Sequence, residues 1–207
     1  MSYLLNKLLI LPGILLAISV HEFSHGYAAV KLGDNTPLLQ GRLTLNPLKH
    51  IDPLGFLCLL LIGFGWAKPV MINPSNFKNP RRDDLMVSLA GPLSNFIMAF
   101  IFVGLMKLVD MFLPVTSLTQ IIWAVFNGTV TINLVLMVFN LLPIPPLDGH
   151  HILGSLGGAP VWNFYNKYYE YLRFGMLLLI VFRVIGVIIG TPVEFLYRFL
   201  MRIFFKV

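Results

Sequence analysis

The sequence predicts an all-α, polytopic membrane protein: a bundle of about four to five transmembrane helices with a short re-entrant or hairpin element. Three observations support this fold class. The mean hydropathy of the 207 residues is +0.81, only 12% of them are charged, and the apolar residues gather in segments long enough to span a bilayer. A soluble domain carries about 25% charged residues, roughly twice this fraction.

We expect one domain over residues 1–207, with a core at about 4–155 and a C-terminal span and amphipathic tail at 172–207. The net charge of +6 comes from basic residues in short loops, which favours membrane topology and contact with headgroups over nucleic-acid binding. A single cysteine, Cys58, excludes an internal disulfide and a cysteine-based zinc knuckle.

The first apolar segment, about residues 4–30, is long enough to span with some tilt. Residues 53–66 are also apolar, but fourteen residues are few for a span, and three of them are glycine. We expect a re-entrant hairpin or sheet-like element packed within the protein, since non-helical backbone is tolerated at membrane depth only there. The alternative is a short interfacial helix.

Three further spans are expected, at about 85–109, 120–142 and 174–189, the last interrupted by Arg183. Pro192 should break it, and the tail 193–207 has the pattern of an interfacial amphipathic helix. If residues 53–66 re-enter, nine basic residues share one side, which is cytoplasmic by the positive-inside tendency, and the tail ends on the other side. They are Lys31, Arg42, Lys49, Lys68, Lys78, Arg81, Arg82, Lys167 and Arg173.

The first span carries three ionisable residues within five positions: His21, Glu22 and His25. Residues four apart lie on one face of a helix, so both imidazoles can face one metal ion, with Glu22 beside them as a base. The alternative is a hydrogen-bonded core cluster. Ionisable groups are costly in lipid, which favours the metal site.

Catalytic zinc usually has three protein ligands, so a third must come from elsewhere. Asp148 is the best placed candidate, since it follows a proline-rich helix end on the cytoplasmic side, and His21 and His25 lie roughly 9–15 Å below that end of their helix. The full set of candidates is His50, Asp52, Asp110, Asp148, His150, His151 and Glu170.

Two motifs together resemble the site-2 protease family of intramembrane zinc metalloproteases. One is HEFSHG at 21–26 and the other is NLLPIPPLDG at 140–149, similar to the family's H-E-x-x-H and N-x-x-P-x-P-x-L-D-G. A third, Ala-Gly-Pro with asparagine at 90–95, resembles its A-G-P-x-x-N. The stretches 41–55 and 63–66 are similar to the short prokaryotic branch, which lacks a PDZ or CBS domain.

The resemblance implies one Zn²⁺ per chain, held by His21, His25 and Asp148, with Glu22 as the base that activates water. It also implies cleavage of peptide bonds within or near transmembrane segments of protein substrates, in regulated intramembrane proteolysis. The expected partners are such a substrate and the lipid bilayer, not nucleic acid. The expected location is a bacterial cell membrane, with the active site toward the cytoplasm.

Other residues have two interpretations each. Asn140 and Asn95 could donate to the oxyanion or bind substrate, or they could make packing hydrogen bonds between helices. Gly63 and Gly65, in the glycine-rich element 63–66, could offer an edge to an unwound substrate strand or simply form a tight turn. His150 and His151 could compete for the metal or form a polar pair near the headgroups.

Two other classes of function stay open. An ion- or proton-translocating protein would need ionisable residues along a route, whereas this chain concentrates them at one depth. A non-catalytic homologue of the protease would be free to lose Glu22, which is present. The sequence indicates no oligomeric state.

Overall fold

The computed structural model describes residues 3–63 and 65–205, and their side chains apart from those of residues 3–8 and 62. In these ranges the chain forms eight α-helices and no strand. Their bounds are α1 Tyr3–Lys31, α2 Thr36–Leu39, α3 Pro53–Ile62, α4 Pro80–Phe112, α5 Ser117–Asn140, α6 Asp148–Gly157, α7 Ala159–Val181 and α8 Val184–Phe205.

Four of the described helices are long and apolar enough to cross a membrane: Leu9–Lys31, Pro80–Phe112, Ser117–Asn140 and Val184–Phe205. The predicted all-α polytopic bundle is therefore confirmed, and the chain is an integral membrane protein. The spans of α4 and α5 include the predicted segments 85–109 and most of 120–142.

Helices α1, α4 and α5 pack together, and α8 packs against α4 and α5. The apolar core between α4, α5 and α8 contains six fully buried side chains. They are Ala99, Val103, Met106, Val130, Leu134 and Leu200.

Helix boundaries follow local chemistry. The hydroxyl of Thr116 accepts from the N–H of Thr119 in a capping box that starts α5. This helix ends at Asn140, because the three prolines of the Pro143–Pro146 stretch cannot continue it. The chain then turns back, and α6 begins at Asp148.

The element at 53–66 is helical, so the sheet-like interpretation is wrong. The Asp52 carboxylate caps α3 by accepting from the N–H of Gly55 at 2.8 Å, and Gly63 ends the helix with a φ of 85°. Ile51 pairs with Ala67 in an isolated antiparallel bridge, so the segment returns to the side from which it starts. Phe64 lies outside the described residues.

The expectation that this element packs within the protein holds for one side only, which faces the cavity described below. Leu54 and Leu61 of α3 are 61% and 72% exposed. A helix satisfies its own backbone hydrogen bonds, so its side chains can face lipid, whereas a strand edge could not.

The last span lies at 184–205, not at 174–189. Arg183 has a φ of 60°, which ends α7 and starts a new helix. Pro192 lies inside α8 without ending it. Leu200 is fully buried against α4 and α5, so the described part of the tail belongs to the bundle and is not a separate interfacial helix. The end of α8 lies near Lys107, at the opposite end of the bundle from the Pro143–Pro146 turn.

Candidate metal centre

Three side-chain atoms from two distant parts of the sequence converge where α1 meets the start of α6. The Nε2 atoms of His21 and His25 are 3.0 Å apart. Oδ2 of Asp148 lies 3.3 Å from each of them. Within the described chain these residues form the one group of three or more such side chains that could hold a metal ion.

The hydrogen bond of His25 fixes its tautomer. Its Nδ1 lies 2.7 Å from the carbonyl oxygen of Val87 on α4. A carbonyl only accepts, so Nδ1 carries a hydrogen, and in the neutral imidazole Nε2 presents a lone pair toward His21 and Asp148.

His21 is held in the same tautomer by a network of buried amides. Its Nδ1 lies 2.7 Å from Oδ1 of Asn95. Nδ2 of Asn95 donates to the carbonyl of Ala17 at 3.2 Å and to Oδ1 of Asn133 at 2.9 Å. Since the Ala17 carbonyl can only accept, the Asn95 amide must turn its oxygen toward His21. Nδ1 of His21 therefore donates, and in the neutral imidazole its Nε2 also carries a lone pair.

The arrangement fits a zinc ion. When both imidazoles are neutral, two nitrogen lone pairs and a carboxylate oxygen face one another, and Oδ2 of Asp148 is buried without a hydrogen-bond partner. Such a convergence of acceptors is unfavourable unless a metal ion or a proton lies among them. Ligands at about 2.0–2.1 Å from a tetrahedral zinc ion are about 3.3 Å apart, which matches the observed 3.0–3.3 Å separations.

The turn before α6 places Asp148. Gly149 lies so close to the carbonyls of Leu141 and Leu142 that a Cβ there would overlap both. The hydroxyl of Tyr165 on α7 donates to the carbonyl of Pro143 at 2.9 Å and fixes the other side of the turn. The first residue of α6 is thereby held opposite the two histidines.

Gly91 allows α4 to approach the ligands, and we expect Gly91→Ala to weaken zinc binding. The new Cβ would overlap Nε2 of His25 and lie 2.6 Å from Cε1 of His21. The expected loss of zinc affinity is about 10–100-fold, the range for disturbing the groups that support metal ligands. Competition with a chromophoric chelator measures it.

Gly104→Ala is the matched control, because it lies on the same helix and its Cβ would meet only the movable ring of Phe204 at 3.3 Å. If both variants bound zinc as tightly as the unaltered protein, the close packing of α4 against the histidines would be refuted.

Glu22 lies beside the three ligand atoms without being one of them. Its Oε2 accepts from the backbone N–H of Val70 at 2.8 Å. The non-helical residues that follow the 53–66 element therefore orient the carboxylate. Glu22 and His21 both line a cavity of about 600 Å³. A base beside the metal ligands can therefore act on a molecule that enters this cavity.

The cavity is mostly apolar. Its walls come from α1, the 51–69 segment, α5, the turn before α6, and α7. Its volume lies in the range of about 300–1,000 Å³ that is usual for ligand sites. Asn140 and Gly65 line it, whereas Asn95 does not.

The structure also shows the surroundings of the asparagines, glycines and histidines for which the sequence left both a functional and a structural interpretation open. Nδ2 of Asn140 donates within its own helix to the carbonyl of Leu136. The oxygen of Asn95 accepts from His21, and Asn95 is not among the residues that line the cavity. Gly63 has open space around it. His150 stacks edge-on against Tyr165, and His151 faces Asp84, so neither joins the three ligand atoms.

Asp34 is a residue of this region that sequence reasoning missed. It is fully buried and accepts from Thr36, from the N–H of Asn73 at 2.7 Å and from Nδ2 of Asn76 at 2.7 Å. Burial alone would raise the pKa of Asp34, but these hydrogen bonds outweigh it and hold the pKa below its ordinary value. The ionised carboxylate ties the loop after α1 to the segment that carries Val70. The signal in the sequence, a lone Gly-Asp-Asn turn, is too common to single it out.

Comparisons with known proteins find similarity to peptidases and zinc metalloproteases. The model of peptidase family M50 matches residues 104–182. "Putative zinc metalloprotease YwhC" of Bacillus subtilis is 45% identical over 149 residues, which are 69% of this chain and 66% of that protein. "Putative zinc metalloprotease Rip2" of Mycolicibacterium smegmatis is 32% identical over 178 residues, which are 79% of this chain and 66% of that protein. The aligned regions thus span just under two thirds of each relative. No solved structure matches.

Proposed function

Since this chain belongs to peptidase family M50, the site-2 protease family, we propose that it is an intramembrane zinc metalloprotease. Its substrates are membrane proteins, cut within or near a transmembrane segment in regulated intramembrane proteolysis. One observation carries the proposal: His21, His25 and Asp148 bring three candidate ligand atoms together, with Glu22 beside them on the wall of an apolar cavity.

The chain holds one zinc ion through Nε2 of His21, Nε2 of His25 and Oδ2 of Asp148. When bound, zinc supplies Lewis acidity that polarises a peptide carbonyl and makes water a better nucleophile. Glu22 takes the proton of the attacking water on its carboxylate and then gives it to the leaving amine. The N–H of Val70 holds that carboxylate in place during both transfers.

The cavity suits an apolar peptide in an opened conformation. A helix must unwind before its carbonyl can be attacked, and an unwound strand needs partners for its backbone. Residues 65–69 are non-helical, and Gly65, Trp66, Ala67 and Pro69 line the cavity. The N–H of Lys68 donates to the carbonyl of His50 beside the bridge at Ala67, and the N–H of Val70 donates to Glu22. The other backbone groups of this segment, with Gly63 shortly before it, can offer hydrogen bonds to a substrate strand. Asn140 on the cavity wall can donate to the substrate or to the oxyanion.

The orientation in the membrane follows from charge. The chain from the last residue of α1 to the first turn of α4, together with α7, contains the nine basic residues named above. We place the site end of the bundle at the cytoplasmic face of a bacterial membrane. Water then reaches the metal from the cytoplasm, and the described end of α8 lies at the outer face.

Metal removal tests this function. The protein is reconstituted into liposomes with a model transmembrane substrate, stripped with a chelator and assayed for cleavage products. We expect chelation to abolish cleavage, zinc to restore it, and magnesium to leave it abolished, since nitrogen-rich sites disfavour magnesium. Undiminished cleavage by protein shown to be metal-free would refute the proposal.

A further inference from the structure

Asp84 is a buried acid on α4 whose partners lie on α6. Its Oδ2 accepts from the hydroxyl of Ser155 at 2.8 Å, and its Oδ1 lies 3.3 Å from Nδ1 of His151. Only 8% of the residue is exposed. Buried carboxylates are costly, so this one needs the two partners that α6 supplies.

The partners of Asp84 share a face with the metal ligand. Asp148, His151 and Ser155 are three and then four residues apart, so they form one stripe along α6. In addition, the guanidinium of Arg81, one turn before Asp84, donates to the carbonyls of Ser155 and Leu156 at the end of α6. Two successive turns of α4 thus hold the far end of the helix that begins with Asp148.

These contacts between α4 and α6 affect the position of Asp148 because α6 is short. It has ten residues, and Asp148 is its first. A side chain extends about 5 Å from the helix axis, so a rotation of about 15° would displace the Asp148 carboxylate by about 1.3 Å. Functional sites need their groups within about 0.5 Å of the productive position. The rotational setting of α6 therefore decides whether Asp148 reaches the metal.

We propose that Asp84 is a positioning residue for the metal centre: through Ser155 and His151 it sets the rotation of α6 and thereby aims Asp148 at the ion. The inference rests on the proposed zinc site. It makes α4 the common support of all three ligands, since the same helix orients His25 through Val87 and His21 through Asn95.

The test compares Asp84→Ala, Asp84→Asn and, as a matched control, Asp110→Ala, which removes an exposed aspartate at the far end of the same helix. Zinc affinity is measured by chelator competition, and the visible spectrum of the cobalt-substituted protein reports ligand geometry. We expect Asp84→Ala to lower zinc affinity about 10–100-fold, the range found when a residue that orients a metal ligand is replaced. We also expect it to alter the cobalt spectrum. Asp84→Asn should recover most of both, because its oxygen still accepts from Ser155.

Zinc affinity within twofold of the unaltered protein, with an unchanged cobalt spectrum, would overturn the positioning role of Asp84. If Asp84→Ala fails to fold, Ser155→Ala decides by the same comparison: weakened zinc binding supports the role, and unaltered binding and spectrum overturn it. If the unaltered protein binds zinc as proposed but cuts no substrate, the proteolytic function fails and the positioning role stands. Failure of the unaltered protein to bind zinc overturns both.

Discussion

Replacing Glu22 with glutamine is expected to abolish peptide-bond cleavage while zinc stays bound. The amide cannot take a proton from water, and loss of a general base costs about 10²–10⁴-fold in rate. The fold should survive, because the amide oxygen can still accept from the N–H of Val70, the partner of Glu22 in the structure. Zinc should also remain, because Glu22 is not one of the three converging ligand residues.

The measurement is the rate of product formation in proteoliposomes, alongside the zinc content of the same preparation. Glu194→Gln is the control, since this glutamate is exposed on α8 and pairs only with Arg198 among the contacts seen in the described chain. A Glu22→Gln protein that cleaved within tenfold of the unaltered rate would show that another group acts as the base.

Replacing Asp148 with alanine is expected to remove zinc and, with it, activity. Oδ2 of Asp148 is one of the three proposed ligand atoms, and the variant would leave two imidazoles, fewer protein ligands than catalytic zinc sites use. The loss of zinc affinity should exceed the roughly 10–100-fold that follows when a residue orienting a metal ligand is replaced. Metal analysis after gel filtration and chelator competition both measure it.

Asp110→Ala again serves as the control for loss of a carboxylate, and it should retain zinc. If Asp148→Ala kept its zinc with unchanged tightness, the third ligand would have to be another residue, with His150 and His151 the nearest along the chain. The structure argues against that outcome, because His150 packs among aromatic rings and His151 faces Asp84.

The sequence predicts the residues of the metal centre because their signals are local and chemically unusual. Two histidines four apart with an adjacent glutamate are costly in an apolar helix, and the proline-rich turn before Asp148 limits where that helix end can go. The structure brings His21, His25 and Asp148 together, as the spacing and depth argument expects. Their roles stay predictions until the variants are measured.

The residues that hold the candidate metal ligands in place could not be identified from the sequence. Asp84 and Asn95 contact residues more than sixty positions away, and an aspartate or asparagine in an apolar segment has many possible partners. The role of α4 depends on which of its faces meets α1 and α6, and that is decided by tertiary packing.

In the C-terminal region the sequence does not predict where the helix breaks. Pro192 is a helix breaker and Arg183 is a charge in an apolar segment, so the sequence favours a span that ends before the proline. In the structure the break falls at Arg183, which adopts a left-handed conformation, and the helix continues through Pro192. Leu200, beyond the proline on the same helix, is fully buried against α4 and α5, and this packing stabilises the continuous helix.

Mass-spectrometric mapping of the products from a model transmembrane substrate, cleaved by the zinc-loaded protein in liposomes, tests the central claim most directly. The account predicts new termini inside or at the edge of the substrate's membrane-spanning segment, absent from the Glu22→Gln reaction. Products cut only in the soluble flanks, or the same termini with Glu22→Gln, would contradict it.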